Sequence, residues 1–223
     1  MPRSGRGPCR TGRPAIQPHF YEPRLGHGLP HDPFKAIVAP RPIGWISTVD
    51  AEGRVNLAPY SFFNAFNTKP PVVGFCSEGP KDSVTNAEAT GEFVCNLATR
   101  ELAEAMNATS ASLPRGQSEM EFAGLAAAPS RLVKPPRVAA SPAALECRVT
   151  QIVVLTGLDG AAYGSRLVLG EVVGVHIDPN FLVDGRFDTA AARPIARCGY
   201  RGDYAEVSSL FEMLRPAGGG SGD

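Results

Sequence analysis

The sequence contains no uncharged apolar run of about 18 residues or more, so it predicts no membrane-spanning helix. It also has no net charge: 22 Lys and Arg stand against 22 Asp and Glu. A neutral chain exerts no overall pull on nucleic acid or an anionic membrane, so any anion it binds must be held by a local site. No GxGxxG follows a strand and no GxxxxGK[ST] occurs, which excludes the glycine-rich phosphate loops of dinucleotide-binding and P-loop folds. There is no GxSxG nucleophile elbow either. The five cysteines, Cys9, Cys76, Cys95, Cys147 and Cys198, form no CxxC pair. Their odd number and wide spacing signal neither a zinc site nor a disulfide framework, and no metal is expected. Cys76, Cys95 and Cys147 sit in apolar, strand-like runs. They read as small buried hydrophobes in a reducing, cytoplasmic setting.

What the chain does have is a core. Hydrophobic residues make up 43% and charged residues 20%, which is too apolar for a disordered polymer. The 24 Gly and 21 Pro favour short strands joined by turns. Residues 1–18 are rich in Arg, Pro and Gly and predict a disordered N-terminal extension. No apolar segment follows Arg3, Arg6, Arg10 and Arg13, so the start is not a secretory signal, and Pro2, Pro8 and Pro14 oppose an amphipathic transit helix. Residues 211–223, ending PAGGGSGD, predict a flexible tail. Residues 19–210 read as one domain.

Ile43 to Val49 reads as a strand, Asp50 to Gly53 as a turn, and Val55 to Ala58 as the returning strand of a hairpin. Val72 to Ser77 follows Pro70-Pro71 as a buried strand. Asp82 to Thr90 reads as a helix that Asp82 or Ser83 caps and Gly91 stops. Phe93 to Leu97 is a strand, and Thr99 caps a second helix running through Asn107. A loop covers Thr109 to Met120. Ala144–Leu155 and Arg166–Ile177 are the longest strands, with a turn over Leu158 to Gly164. In the second, alternation puts Leu167, Leu169, Val173, Val175 and Ile177 on one face and Val168, Val172 and His176 on the other. The sum is a mainly β protein, an antiparallel barrel with appended helices, not alternating βαβ units.

Three places could carry chemistry. Glu78-Gly79-Pro80-Lys81-Asp82-Ser83 links a strand to a helix start, where unpaired amides, the Lys81 charge and the Ser83 hydroxyl suit a phosphate. Taken alone it reads first as an ordinary capped helix with an exposed Lys, and the Asp82 carboxylate competes for the same amides. Asn56 to Asn64 is a strand end opening into a loop of aromatics and amides. It could wall a flat heteroaromatic ring, or Tyr60, Phe62, Phe63 and Phe66 could simply plug a core. Trp45 and His176 each fit a structural role or a ligand contact.

In order, these segments resemble the flavin reductase-like proteins. The residues that carry the resemblance are Arg41-Pro42, Gly53 to Phe63 (G-x-x-N-x-A-P-x-S-x-F), Pro70-Pro71, Lys81 to Asn86 (K-D-[ST]-x-x-N) and Thr90 to Leu97 (T-G-E-F-V-x-N-L). It continues through MNATSASLPRGQSEMEFAGL, PPRVAASPAALEC and LVLGEVVGVHID, so it spans roughly residues 33–204. The chain departs from the pattern at Cys198 to Tyr204, where many relatives carry a Leu-Gly-Gly-x-x-Tyr segment.

The resemblance implies an FMN-binding split barrel and a homodimer with flavin near the subunit interface. It implies that Ala58, Pro59, Tyr60, Ser61 and Phe62 lie along the ring and ribityl chain, and that Ser77, Lys81, Asp82 and Ser83 approach the phosphate. Trp45 and Thr48 are further cofactor candidates, and His176 is the catalytic candidate. The implied activity is reduction of flavin by NADH or NADPH, with the reduced flavin serving a partner oxygenase. The other reading is an FMN-carrying electron-transfer protein with no nicotinamide turnover of its own.

Overall fold

A computed structural model describes residues 17–114, 117–214 and 216. Most of the expected N-terminal extension, and the end of the expected C-terminal tail, lie outside the described residues.

Seven strands make one antiparallel sheet. They are β1 (Gly44–Val49), β2 (Val55–Tyr60), β3 (Phe63–Thr68), β4 (Pro71–Glu78), β5 (Glu92–Leu97), β6 (Ala143–Thr156) and β7 (Ala162–Ile177). Their spatial order is β2-β1-β5-β6-β7-β4-β3. The two edges, β2 and β3, are consecutive in the chain and joined only by Ser61 and Phe62. The sheet therefore curls into a barrel that stays split between its edges. Closure is tight beside the split: a side chain at Gly44 of β1 would begin 2.5 Å from the Phe63 ring of β3. Only glycine leaves room for that ring.

Both faces of β1 are buried, because different layers cover them. Successive side chains on a strand point to opposite faces. Ile46 points into the barrel with Tyr60, Phe75, Phe93 and Val168. Phe75 is the centre of this core, tilted against Tyr60 at 4.9 Å and edge-on to Phe93 at 5.4 Å. Trp45 points the other way, into a second cluster with Leu57, Met106, Met120, Val138 and Ile195. Each such apolar side chain contributes roughly 1.5–3 kcal/mol on burial.

Helix α1 (Asp82–Thr90) crosses from β4 to β5 and sends Val84 and Ala87 into the barrel core. Gly91 stops it in the left-handed conformation, φ 71°. Helices α2 (Ala103–Ala108) and α3 (Glu119–Phe122) supply Met106 and Met120 to the second cluster.

Four expectations are corrected. Phe63–Thr68 is a strand rather than loop, because Phe63, Asn64 and Ala65 pair with Phe75, Gly74 and Val73 of β4. The amides that made the segment look loop-like sit on an exposed edge. The second helix starts at Ala103, since Thr99 is committed to a β-bridge with Pro194. Neither Asp82 nor Ser83 caps α1: the N-cap is Lys81, with no side-chain cap. The simple alternation expected of β7 is broken at Val173, which is left out of the pairing between Val172 and Gly174. The bulged Val173 packs with Val94, Val133 and Ala144, while Val175 and Ile177 beyond it are exposed.

Among the described residues no helix is long and apolar enough to cross a membrane. Cys95 and Cys147 are buried, and Cys76 and Cys198 are half-buried, all as free thiols. Burial pushes the Cys95 thiol up to about 12 and raises Cys147 as well. Both are inert packing groups at neutral pH.

Candidate flavin site

The end of β2 and the start of α1 share the wall of a cavity of about 360 Å3. Ala58, Pro59 and Tyr60 come from β2, and Lys81, Asp82 and Ser83 from α1. Thr109 to Leu113, the loop leaving α2, forms the opposite side. The volume falls in the usual range for small-ligand sites, roughly 300–1,000 Å3. An adjoining depression of about 560 Å3 shares Asn56, Asp82, Leu113 and Glu119 with it.

The start of α1 is open. Lys81 is extended, φ −86° and ψ 158°, and its carbonyl accepts the N–H groups of Val84 and Thr85 at 3.0 Å. The amides of Asp82 and Ser83 have no acceptor among the described residues. First-turn amides carry the positive end of the helix dipole and attract an anion. The exposed Lys81 ammonium adds a full charge there. The carboxylates of Asp82 and Glu119 on the rim oppose it.

A polar ladder fixes this helix start against the sheet. Asn56 Nδ2 donates to Ser83 Oγ at 2.8 Å and lies 3.4 Å from Thr48 Oγ1. Asn86 Nδ2 donates to the same Thr48 hydroxyl at 3.1 Å. Thr48 is fully buried, so it sets the position of Asn56 and Asn86 from behind the wall. Ser77 is likewise fully buried.

Tyr60 is 7% exposed, and its hydroxyl makes no hydrogen bond among the described residues. The Ser83 and Ser77 hydroxyls act on the phenol and favour its ionised form, but neither completes a hydrogen bond with it. Burial raises the phenol above its ordinary value, so it remains a protonated donor. A buried hydroxyl without a partner costs about 1–3 kcal/mol, which a ligand acceptor would relieve. These features fit FMN. Its phosphate matches Lys81, the two free amides and the Tyr60 hydroxyl, and its flat ring matches the apolar Ala58-Pro59 wall.

The other sequence candidates lie elsewhere. Trp45 is fully buried in the second cluster, and its Nε1 donates to Thr109 Oγ1 at 2.9 Å. It presents no face to a ligand, but it holds the loop that forms the far side of the cavity. Ser61 and Phe62 form the turn beyond β2 and do not line it. The Phe62 carbonyl accepts the Cys76 amide, and the Phe62 ring lies near Lys35 and Arg41. His176 does not line it either: its Nε2 is bonded to the buried Glu146 carboxylate.

The sequence placed Asn56 in the candidate Asn56 to Asn64 segment without a role of its own, and gave none to the Thr109–Leu113 loop or Glu119. Glu119 Oε2 accepts the Leu57 amide at 3.1 Å and so holds the β2 edge from α3. Nothing in the spacing of these residues places them near Lys81. Only the fold brings them together.

Comparison with known proteins gives the family and the fold. The model of the flavin reductase like domain matches residues 38–191. An uncharacterized protein of Deinococcus radiodurans is 38% identical over 209 residues, covering 88% of this chain and 89% of the relative. The nitrilotriacetate monooxygenase component B of Bacillus cereus superposes with a TM-score of 0.77 at 28% identity, over 91% of this chain and 99% of that one. A Shewanella frigidimarina protein assigned as a flavin reductase with a split barrel domain superposes with a TM-score of 0.73 at 24% identity, over 82% and 90%. The sheet split between β2 and β3 is the same fold, and the chain belongs to the flavin reductase-like family of split-barrel proteins.

Proposed function

We propose that the chain binds FMN in the 360 Å3 cavity and acts as an NAD(P)H-dependent flavin reductase. The observation that carries the binding claim is the shared wall. Ala58 to Tyr60 and Lys81 to Ser83, about twenty residues apart in sequence, line one cavity whose wall includes the buried Tyr60 hydroxyl.

When bound, FMN supplies the hydride- and electron-carrying chemistry. The protein's part is to bind and orient it. Lys81 and the amides of Asp82 and Ser83 hold the phosphate, and the Tyr60 hydroxyl donates to the cofactor. Ala58 and Pro59 cover ring surface and exclude water from one side. Ser77 and Thr48 keep the wall in place from behind, and Trp45 anchors the opposite loop. Ser61 and Phe62 close the turn at the ring end.

We further infer a cytoplasmic homodimer. Val153, Val154, Leu155, Tyr163 and Val175 leave apolar surface exposed along β6 and β7, in keeping with a covering second copy. Light scattering coupled to gel filtration reads the mass directly. A likeness to a monooxygenase component supports a partner oxygenase as the user of reduced flavin.

The test is to mix purified protein, free FMN and either NADH or NADPH, and to follow nicotinamide absorbance. Oxidation faster than the flavin-only rate is expected with at least one nucleotide. Tightly held yellow FMN that neither nucleotide reduces would instead make the chain an FMN-carrying electron-transfer protein. A colourless protein that binds no added FMN would overturn both.

A further inference from the structure

A second depression, of about 800 Å3, opens on the other side of α2. It is lined by Arg100, Arg197 and Arg201, and it shares Ser110 with the flavin cavity. The chain as a whole is neutral, so this local excess of cations stands out. None of the three guanidiniums makes an ion pair among the described residues. Two carboxylates also line the depression, Glu104 and Glu206. Glu206 is already paired with Arg193 at 2.8 Å, so only Glu104 opposes the three arginines.

The depression is also partly built in advance. Arg197 lies on the ribbon strand Ile195–Arg197, directly across from Tyr204, with its guanidinium 4.7 Å from the centre of the Tyr204 ring. That stacking restrains a side chain that would otherwise lose rotamer freedom on binding. Planar, donor-rich guanidiniums suit phosphate oxygens. The flavin phosphate already has its own site at Lys81 to Ser83. An arginine-lined depression next to the same cavity suits a second phosphate-bearing molecule.

We propose that Arg100, Arg197 and Arg201 anchor the phosphates of the nicotinamide nucleotide, whose nicotinamide end crosses Ser110 to reach the flavin cavity. The assignment rests on the reductase reading for the nucleotide's identity. It accounts for nucleotide binding without a glycine-rich fingerprint, since side-chain guanidiniums replace backbone amides. It also gives a role to the Cys198–Tyr204 segment, which contributes Arg201 and Tyr204.

The experiment uses the FMN-loaded protein and the variants Arg100→Gln, Arg201→Gln and the double variant. Both side chains are exposed, and circular dichroism checks that each variant folds. Each single change should raise KM for the nicotinamide nucleotide about fivefold, and the double variant by about the product, while FMN affinity by fluorescence titration holds. A greater loss with NADPH than with NADH places the 2′-phosphate on the arginines, and an equal loss places the pyrophosphate there. Calorimetric titration with ADP, which carries the pyrophosphate but no nicotinamide, reads the site without turnover. ADP binding by the parent that disappears in the double variant supports the site even if no nicotinamide is oxidised, in which case only the reductase reading fails. Unchanged KM, absent ADP binding, or a parallel fall in FMN affinity would overturn the proposal.

Discussion

His176 and Glu146 meet across the long hairpin of β6 and β7, with His176 Nε2 2.5 Å from Glu146 Oε1. Glu146 is fully buried. Its carboxylate also accepts the amides of Arg131 at 2.7 Å, Leu132 at 2.6 Å and Val133 at 3.1 Å. The pair is therefore a clip that ties the 131–133 segment to the barrel. Glu146→Ala strands three amides and the histidine, and should cost about 3–5 kcal/mol of stability. His176→Gln leaves the amide bonds in place and should cost less, about 1–2 kcal/mol. Neither residue lines the flavin cavity, so FMN affinity should hold in His176→Gln. Urea unfolding alongside an FMN titration checks both. Lost FMN binding without lost stability would make His176 a site residue after all.

The same carboxylate makes stability depend on pH. Burial alone would raise the Glu146 carboxyl. The His176 hydrogen bond, the amides of Arg131 and Leu132 and the His176 charge outweigh it and hold the group below the ordinary carboxylate range. In the unfolded chain it titrates near about 4.3. The unfolded chain thus takes up its proton first as pH falls. The stabilisation is fully present above the unfolded value and is lost as pH drops through the folded one. Glu146→Gln removes this titration. Between roughly pH 6 and pH 3 the parent's urea midpoint should fall more steeply than the variant's. Parallel curves would mean that the carboxylate is not held ionised by the fold.

Local pattern made the strands and α1 legible. Val49 and Val55 pair across a turn that Asp50 and Gly53 announce, and Asp82–Thr90 is the helix the sequence predicts. Local pattern failed where tertiary partners decide. The amide-rich Phe63–Thr68 segment is a strand because β4 lies beside it, and Thr99 is diverted from capping by Pro194. The site behaved in the same way. Lys81 to Ser83 could be named from a helix start and a phosphate's needs. Asn56, Glu119 and the Thr109–Leu113 loop reach that helix only through folding. Trp45 and His176 were ambiguous for one reason: a side chain with both an apolar body and a polar atom suits a core or a ligand, and only its partner decides.

Lys81 should contribute to cofactor binding without contributing to the fold. Its side chain is exposed, and it caps α1 through its backbone. Lys81→Ala removes one charge-assisted contact, worth on the order of 1.5–3 kcal/mol when well formed. Solvent exposure puts the expected loss near the lower end, about tenfold in Kd for FMN. Thermal unfolding of the FMN-free protein should be unmoved. Fluorescence titration that finds no change in Kd would reduce Lys81 to a solvated side chain.

Tyr60 separates a ligand contact from a packing role with a single atom. Its ring fills the barrel core against Phe75, and Tyr60→Phe preserves that packing. The hydroxyl has no partner among the described residues, so in the FMN-free protein its removal relieves an uncompensated buried group. The FMN-free variant should be as stable as the parent or more so, by up to about 1 kcal/mol. With FMN the sign reverses. If the hydroxyl donates to the cofactor, its loss should weaken binding by about 0.5–1.5 kcal/mol, or two- to tenfold in Kd. A hydroxyl that only packs would give the first change without the second. Unfolding midpoints measured with and without saturating FMN show both, because a ligand that binds only the folded state stabilises it in proportion to its affinity. The parent's midpoint should rise more with FMN than the variant's, from a starting point no higher.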